Sequence, residues 1–364
     1  MSSLKQLKKF IGQRVIFGFD GPKITPELIR LDEEWGLGGY ILFKRNLQEF
    51  EQLMNLNEEL WALGQGTPPF IAVDQEGGSV SRVPEPFTKF PDMIQMGQVS
   101  SVSVAYEVGA VIGRELTATG FNLNFSPVLD LNINPDNPVI GRRAISESPE
   151  KVANLAKAII RGLHDNAIIA CGKHFPGHGD TKQDSHEELA TSDLTLETMR
   201  ERELIPYREL IQNPPHLDMV MSAHVVYPSV DADNPATLSR AFLMELLRYE
   251  LGFKGLAVSD DLEMKAIAEN MSYEEATIRG LEAGLDVFLV CHTLEAQMTV
   301  LETLLKEAES GRFPNHVWER NHRRVRDIKA RHFRVMRSID RIHARELVGN
   351  REHQRIARRL REGK

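Results

Sequence analysis

Ala167-Ile168-Ile169-Ala170-Cys171-Gly172-Lys173-His174-Phe175-Pro176-Gly177-His178-Gly179-Asp180 joins a short apolar run to a loop crowded with titratable side chains. Residues 167–171 have the length and composition of a buried strand. Pro176, Gly177 and Gly179 exclude a helix beyond that strand, so the charged groups sit on a shaped loop. Asp184-Ser185-His186 extends that loop with a further acid and a further imidazole. A reactive loop at the carboxyl end of a buried strand predicts an α/β enzyme.

Seven more apolar runs repeat the pattern. With 167–171 they are 14–19, 40–43, 70–73, 125–129, 219–223, 255–258 and 287–291. Helical patterns separate them at 27–35, 47–63, 102–118, 149–165, 196–211, 240–249, 273–283 and 294–310. Continuously apolar strands alternating with amphipathic helices imply a parallel sheet buried on both faces. Eight such units predict an α/β fold of the (β/α)8 TIM-barrel type, a single domain over residues 1–314. A doubly wound sheet is the alternative, but no Gly-x-Gly-x-x-Gly stands after the first strand. The strand ends carry, in order, Asp20, Lys44-Arg45, Asp74-Gln75-Glu76, Asp130, Lys173-His174, His224, Asp260-Asp261 and His292. A barrel would bring all of these to one mouth, a deep polar pocket suited to a polyhydroxylated ligand.

Composition narrows the class. The chain has 364 residues, 41% of them hydrophobic, and a net charge of −8. No run of 18 apolar residues occurs, so no membrane span is expected. The basic start, residues 1–9, leads into no long apolar segment, and Cys171 and Cys291 are the only cysteines. A cytoplasmic location is expected, without a disulfide framework. Residues 315–364 hold 16 Lys/Arg against 6 Asp/Glu, a local +10 that leaves −18 on the rest. Val325, Ile328, Phe333, Met336 and Ile339 are spaced as one apolar stripe, so this basic tail is expected to be a helical extension packed on the acidic body. No recognition motif supports nucleic-acid binding.

The chemistry-bearing residues admit more than one role. A carboxylate at a strand end, such as Asp260, can be nucleophile, base or metal ligand, or can simply cap the next helix. Asp184 and His186, two apart on an extended loop, would face the same side, and an Asp beside a His suits proton transfer; a structural hydrogen bond is the plain alternative. His174, His178, Asp180, Asp184 and His186 could instead hold a metal. The familiar His-x-x-x-His spacing needs a helix that Pro176 and Gly177 forbid, so no metal is expected. Arg82 and Arg143 are candidates to hold hydroxyls or an anionic group. Pro235-Ala236-Thr237-Leu238-Ser239 reads as a helix start without chemistry.

Together these motifs resemble glycoside hydrolase family 3, and within it the single-domain bacterial β-N-acetylglucosaminidases. The pieces that carry the resemblance run in order. They are Gly39-Tyr40-Ile41-Leu42-Phe43-Lys44-Arg45-Asn46, Val73-Asp74-Gln75-Glu76-Gly77-Gly78, Phe125-Ser126-Pro127-Val128-Leu129-Asp130, Ile140-Gly141-Arg142-Arg143, the block from Lys173 to His186, Met221-Ser222-Ala223-His224, and Leu251 to Asp261. The resemblance implies a retaining exo-β-N-acetylglucosaminidase needing no cofactor. It implies Asp260 as nucleophile, His186 as acid/base and Asp184 as its partner, with Asp74, Arg82, Arg143, Lys173 and His174 gripping the sugar. It points to a GlcNAc-anhydro-MurNAc muropeptide fragment as carbohydrate substrate and to a monomer or weak homodimer. Two departures stand out: Ser79 occupies a position where these enzymes often have Arg, and Arg142-Arg143-Ala144-Ile145 replaces an acidic residue followed by Arg, Ser and Phe.

Overall fold

The computed structural model describes residues 4–64, 67–182, 189–333 and 338–364. Its strands, in chain order, are β1 (Val15–Phe17), β2 (Gly39–Leu42), β3 (Phe70–Val73), β4 (Leu123–Asn124), β5 (Ile169–Phe175), β6 (Ala190–Thr191), β7 (Met219–Ser222), β8 (Val225–Tyr227), β9 (Asp231–Pro235), β10 (Leu256–Asp261) and β11 (Val287–Val290). Eight of them close a barrel in the order β1-β11-β10-β7-β5-β4-β3-β2, every pairing parallel. Strands β6, β8 and β9 form a small separate sheet that the apolar pattern does not announce.

Alternation builds the two layers of core. Ile16 joins the cluster inside the barrel, whereas Val15 and Phe17 pack with the surrounding helices. Ile41, Ala72, Met221, Val258 and Leu289 repeat the inward role, as the period of two along a strand requires. The helices start where capping chemistry stands. Ser148 accepts the N–H of Lys151 ahead of Pro149–His164, and Thr293 accepts that of Ala296 ahead of Leu294–Ser310, each satisfying a donor the helix itself leaves orphaned.

The strand ends differ from the expectation where the site is built. β5 begins two residues later than read, after Ala167 at φ +59, and runs through Phe175, so Lys173 and His174 lie within the strand. β10 likewise includes Asp260 and Asp261. The fourth strand is Leu123–Asn124, ahead of the run read over 125–129, where Pro127 has no N–H to offer a ladder. The 125–129 segment still meets β5 irregularly, with Leu129 donating to the Lys173 carbonyl at 2.6 Å. The helix read over 196–211 is two, Leu196–Glu201 and Leu204–Gln212, and Ala241–Glu250 is wound as a π-helix.

The basic tail forms helices Asn315–His332, Arg341–Leu347 and Arg351–Arg361. The first closes the bottom of the barrel. Val325 and Ile328 join the interior cluster, and Phe333 meets the Phe70 ring edge-on at 5.6 Å. Met336 lies outside the described residues, and Ile339 packs instead against the outer core. The last two helices turn their cations to the acidic body, pairing Arg345 with Glu51 at 2.6 Å, Arg359 with Glu107 at 3.0 Å and Arg341 with Glu58.

Candidate active site

At the carboxyl ends of the strands lies a cavity of about 590 Å3. Asp74, Arg82, Arg143, Lys173, His174 and Asp260 all line it. Asp184 and His186 lie outside the described residues.

One side is a buried cluster of alternating charge. The Lys173 ammonium sits 2.7 Å from Asp74 Oδ1 and 2.6 Å from Glu76 Oε1. Arg143 grips the same Glu76 in a fork, Nε to Oε2 at 2.9 Å and Nη2 to Oε1 at 2.8 Å. Burial pushes the Glu76 carboxyl up, but Lys173 and Arg143 outweigh it and hold the group far below the usual carboxylate range. Burial works against the Lys173 charge too, and Asp74 and Glu76 overcome it, so its pKa is raised. These are charge-assisted bonds among desolvated partners, geometrically fixed by the bidentate guanidinium. Arg82 points its Nε into a buried position where it meets no partner among the described residues.

A second network anchors the loop that leaves β5. The Asp130 carboxylate accepts from the backbone N–H and Nδ1–H of His174 at 3.2 and 2.7 Å through one oxygen, and from the His178 N–H at 2.6 Å through the other. Burial would raise Asp130, yet His174 and His178 leave it lowered. An ionised carboxylate only accepts, so His174 carries its proton on Nδ1. His178 is buried; desolvation and then the neighbouring His174 push it down to about 4. The Asn137 amide donates to the His178 carbonyl at 2.9 Å, and the Tyr227 hydroxyl donates to that of Gly177. Gly179 passes so close to the chain that a Cβ there would stand 1.7 Å from the Leu131 carbonyl oxygen. The histidines of the opening motif are thus bound to an aspartate from the fourth strand end.

Across the cavity, β10 presents Asp260. The next backbone N–H, that of Asp261, donates to Asp260 Oδ1 at 2.9 Å. Asp261 is itself tied down, with Oδ1 accepting from Glu263 N and Cys291 N at 3.1 Å and Oδ2 lying 3.1 Å from His292 Nε2. The hydrogen bond to Asp261 raises the His292 pKa.

Glu76, Asp130, His224 and Asp261 are the functional neighbours that reading residues singly does not rank. All four stand among the polar strand ends, which was the available signal. Ser79 and Arg142 share one partner: Asp92 accepts the Ser79 N–H at 3.3 Å and pairs with Arg142 Nε at 2.6 Å. The loop before Arg143 is therefore held by Asp92.

Known proteins resemble this chain in sequence and in fold. The family model described as "Glycosyl hydrolase family 3 N terminal domain" matches residues 6–328. A beta-hexosaminidase of Nitrosomonas eutropha is 36% identical over 310 residues, covering 81% of this chain and 88% of that protein. One from Neisseria meningitidis serogroup B is 42% identical over 264 residues, 70% of this chain and 72% of that one. Beta-hexosaminidase A of Pseudoalteromonas piscicida, 37% identical, is matched over 73% of this chain but only 48% of its own length, so the chain spans about half of that relative. Among solved structures, a glycoside hydrolase family 3 beta-N-acetylglucosaminidase from Paenibacillus sp. superposes with a TM-score of 0.90 at 38% identity, over 98% of this chain and 68% of that one. NagZ from Neisseria gonorrhoeae in complex with N-trifluoroacetyl-D-glucosamine superposes with a TM-score of 0.76 at 32% identity, over 96% and 97%.

Proposed function

The chain belongs to glycosyl hydrolase family 3, and on that premise we propose that it is a retaining exo-β-N-acetylglucosaminidase releasing terminal GlcNAc from muropeptide fragments, GlcNAc-anhydro-MurNAc above all. The observation that carries the reading is the shared cavity: Asp260 on one wall, and the Asp74, Lys173, Glu76 and Arg143 cluster on the other. The cluster supplies fixed acceptors and donors for sugar hydroxyls and an N-acetyl group. Asp260 supplies the carboxylate that attacks the anomeric carbon.

In the proposed sequence, the glycosidic C–O bond breaks as Asp260 forms an ester to C1. His186, paired with Asp184, gives its proton to the departing oxygen. His186 then takes a proton from water, whose oxygen displaces the ester and regenerates Asp260. The His186 imidazolium paired with Asp184 can donate a proton and then accept one without placing a second bare carboxylate beside Asp260. Lys173 and His174 hold the sugar at the strand end, and Asp74, Arg82 and Arg143 complete its grip. No helix among the described residues is long and apolar enough to cross a membrane. We place the enzyme in the cytoplasm as a monomer or weak homodimer.

The test is turnover of GlcNAc-anhydro-MurNAc beside aryl β-N-acetylglucosaminide and aryl β-glucoside, with and without phosphate. Release of free GlcNAc from the first two, unaffected by phosphate, supports the proposal. Preference for the glucoside, or a sugar phosphate as product, overturns it. His186→Ala should slow substrates with poor leaving groups far more than activated aryl ones; equal losses would remove the acid role.

A further inference from the structure

We propose that His224, backed by Thr237, is a positioning residue for Asp260: it fixes the backbone of Asp261, the residue whose N–H holds the Asp260 carboxylate in one orientation. The inference rests on Asp260 as the nucleophile. His224 stands at the end of β7, fully surrounded, 1% exposed. Its Nε2 lies 2.9 Å from the Asp261 carbonyl oxygen, and its Nδ1 lies 3.0 Å from Thr237 Oγ1. A carbonyl can only accept, so Nε2 must carry the proton. Burial, the largest influence on the ring, lowers its pKa. In a neutral ring Nδ1 is then bare and must accept, which makes the Thr237 hydroxyl its donor. The same hydroxyl lies 2.9 Å from the Ala223 carbonyl oxygen, a competing acceptor that also receives the Thr237 backbone N–H at 3.1 Å. The Asp261 carbonyl sets the His224 tautomer, and the Thr237 hydroxyl complements it at Nδ1.

The consequence reaches Asp260 through one residue. β10 leaves regular register with β11 between Val258 and Asp261. At such an irregularity ladder bonds no longer hold every peptide, and side chains must take over. Here the Asp261 carbonyl is held by His224 Nε2–H and by the Met264 N–H at 3.1 Å, and its carboxylate by Glu263 N and Cys291 N. With Asp261 fixed at its carbonyl and its carboxylate, the N–H of the same residue donates to Asp260 Oδ1. His224 touches neither the reacting atoms nor, on this reading, the sugar. Its effect belongs in the chemical step and not in binding.

The test compares kcat with the inhibition constant of GlcNAc, using the full chain and nitrophenyl β-N-acetylglucosaminide. His224→Asn, too short to reach the Asp261 carbonyl, should lower kcat about 100-fold, the scale of a small misplacement of a reacting group. GlcNAc inhibition should stay within about three-fold, since His224 makes no contact with the sugar and acts only on the orientation of the nucleophile. His224→Gln carries an N–H to the Nε2 position and should recover kcat to within about ten-fold of the parent. Thr237→Val should lower kcat and Thr237→Ser restore it, and this pair decides the matter if His224→Asn does not fold. Equal Asn and Gln variants, weakened GlcNAc inhibition in step with kcat, or indifference at both positions would overturn the inference. Asp260→Ala separates the two failures. A variant that still turns over removes the nucleophile, and this inference with it. A dead Asp260→Ala beside an indifferent His224 and Thr237 removes the positioning role alone.

Discussion

Glu76 joins two cations that stand 30 positions apart in the chain, Arg143 and Lys173. Removing its charge leaves Lys173 with Asp74 alone and takes from Arg143 the carboxylate that its fork grips. Glu76→Gln should therefore cost about 3 kcal/mol of stability, the cost of breaking a buried pair, and raise KM for the aryl N-acetylglucosaminide; urea denaturation and steady-state kinetics read the two effects. The Glu76 carboxyl is depressed in the fold, so its contribution is complete above the ordinary carboxylate range and lost only as pH falls below it. His178 acts in a different window. Its folded pKa of about 4 lies below the ordinary 6.5, so between those values the unfolded chain binds a proton that the fold refuses, and stability falls with pH. The parent should lose up to about 3 kcal/mol more than His178→Gln between pH 6.5 and 4, followed by urea midpoints. Equal slopes would mean that His178 is hydrated. The sequence shows Glu76 and Asp130 as strand-end carboxylates and no more. Their partners come from other strands, and pairing across a barrel is not written in local spacing.

At the scale of elements, the Asn315–His332 helix was legible as an amphipathic helix from Val325 and Ile328. What its apolar face covers was not, because spacing defines a face and leaves its partner open. The barrel bottom is that partner, and Lys329 lies within the contact. Its ammonium donates to Gln13 Oε1 at 2.8 Å and the Gly38 carbonyl at 2.9 Å, above the Phe70 ring. Burial pushes its pKa down to about 7 from 10.5. Between those values the unfolded chain holds more protons than the fold, so stability rises with pH. The parent should gain about 2 kcal/mol relative to Lys329→Met between pH 7 and 9, measured by urea unfolding. Parallel curves would show that the ammonium keeps its charge in the fold. The late start of β5 and the short β4 were illegible for a related reason: Ala167 and Pro127 act on backbone geometry, which apolar runs do not report.

At the scale of the whole molecule, the charge imbalance between tail and body was visible in composition, and the structure shows the two halves paired. The tail also reaches the active site through one carboxylate. Glu115, 3% exposed, accepts from the Thr88 hydroxyl at 2.6 Å, the Gly349 N–H at 2.9 Å and His353 Nδ1 at 2.7 Å through Oε1, and from the Thr88 N–H at 2.9 Å through Oε2. Thr88 lies on the loop that continues to Asp92, and Asp92 holds Ser79 and Arg142 beside the Arg143–Glu76 fork. The tail thus braces the sugar-binding wall, whereas Asp260 stands on β10 across the cavity. Deleting residues 338–364 uncovers the outer core where Val348, Ile356 and Leu360 pack. At about 2 kcal/mol for each of these three apolar side chains, the loss should be about 6 kcal/mol, or roughly a 12–24 °C fall in Tm. Because the brace serves the binding wall, KM for the aryl N-acetylglucosaminide should rise several-fold while kcat changes less. Glu115→Gln separates the two contributions: it keeps the apolar cover and weakens only the carboxylate hub, so it should raise KM with a smaller fall in Tm. A deletion variant with lowered Tm and unchanged KM would confine the tail to stability.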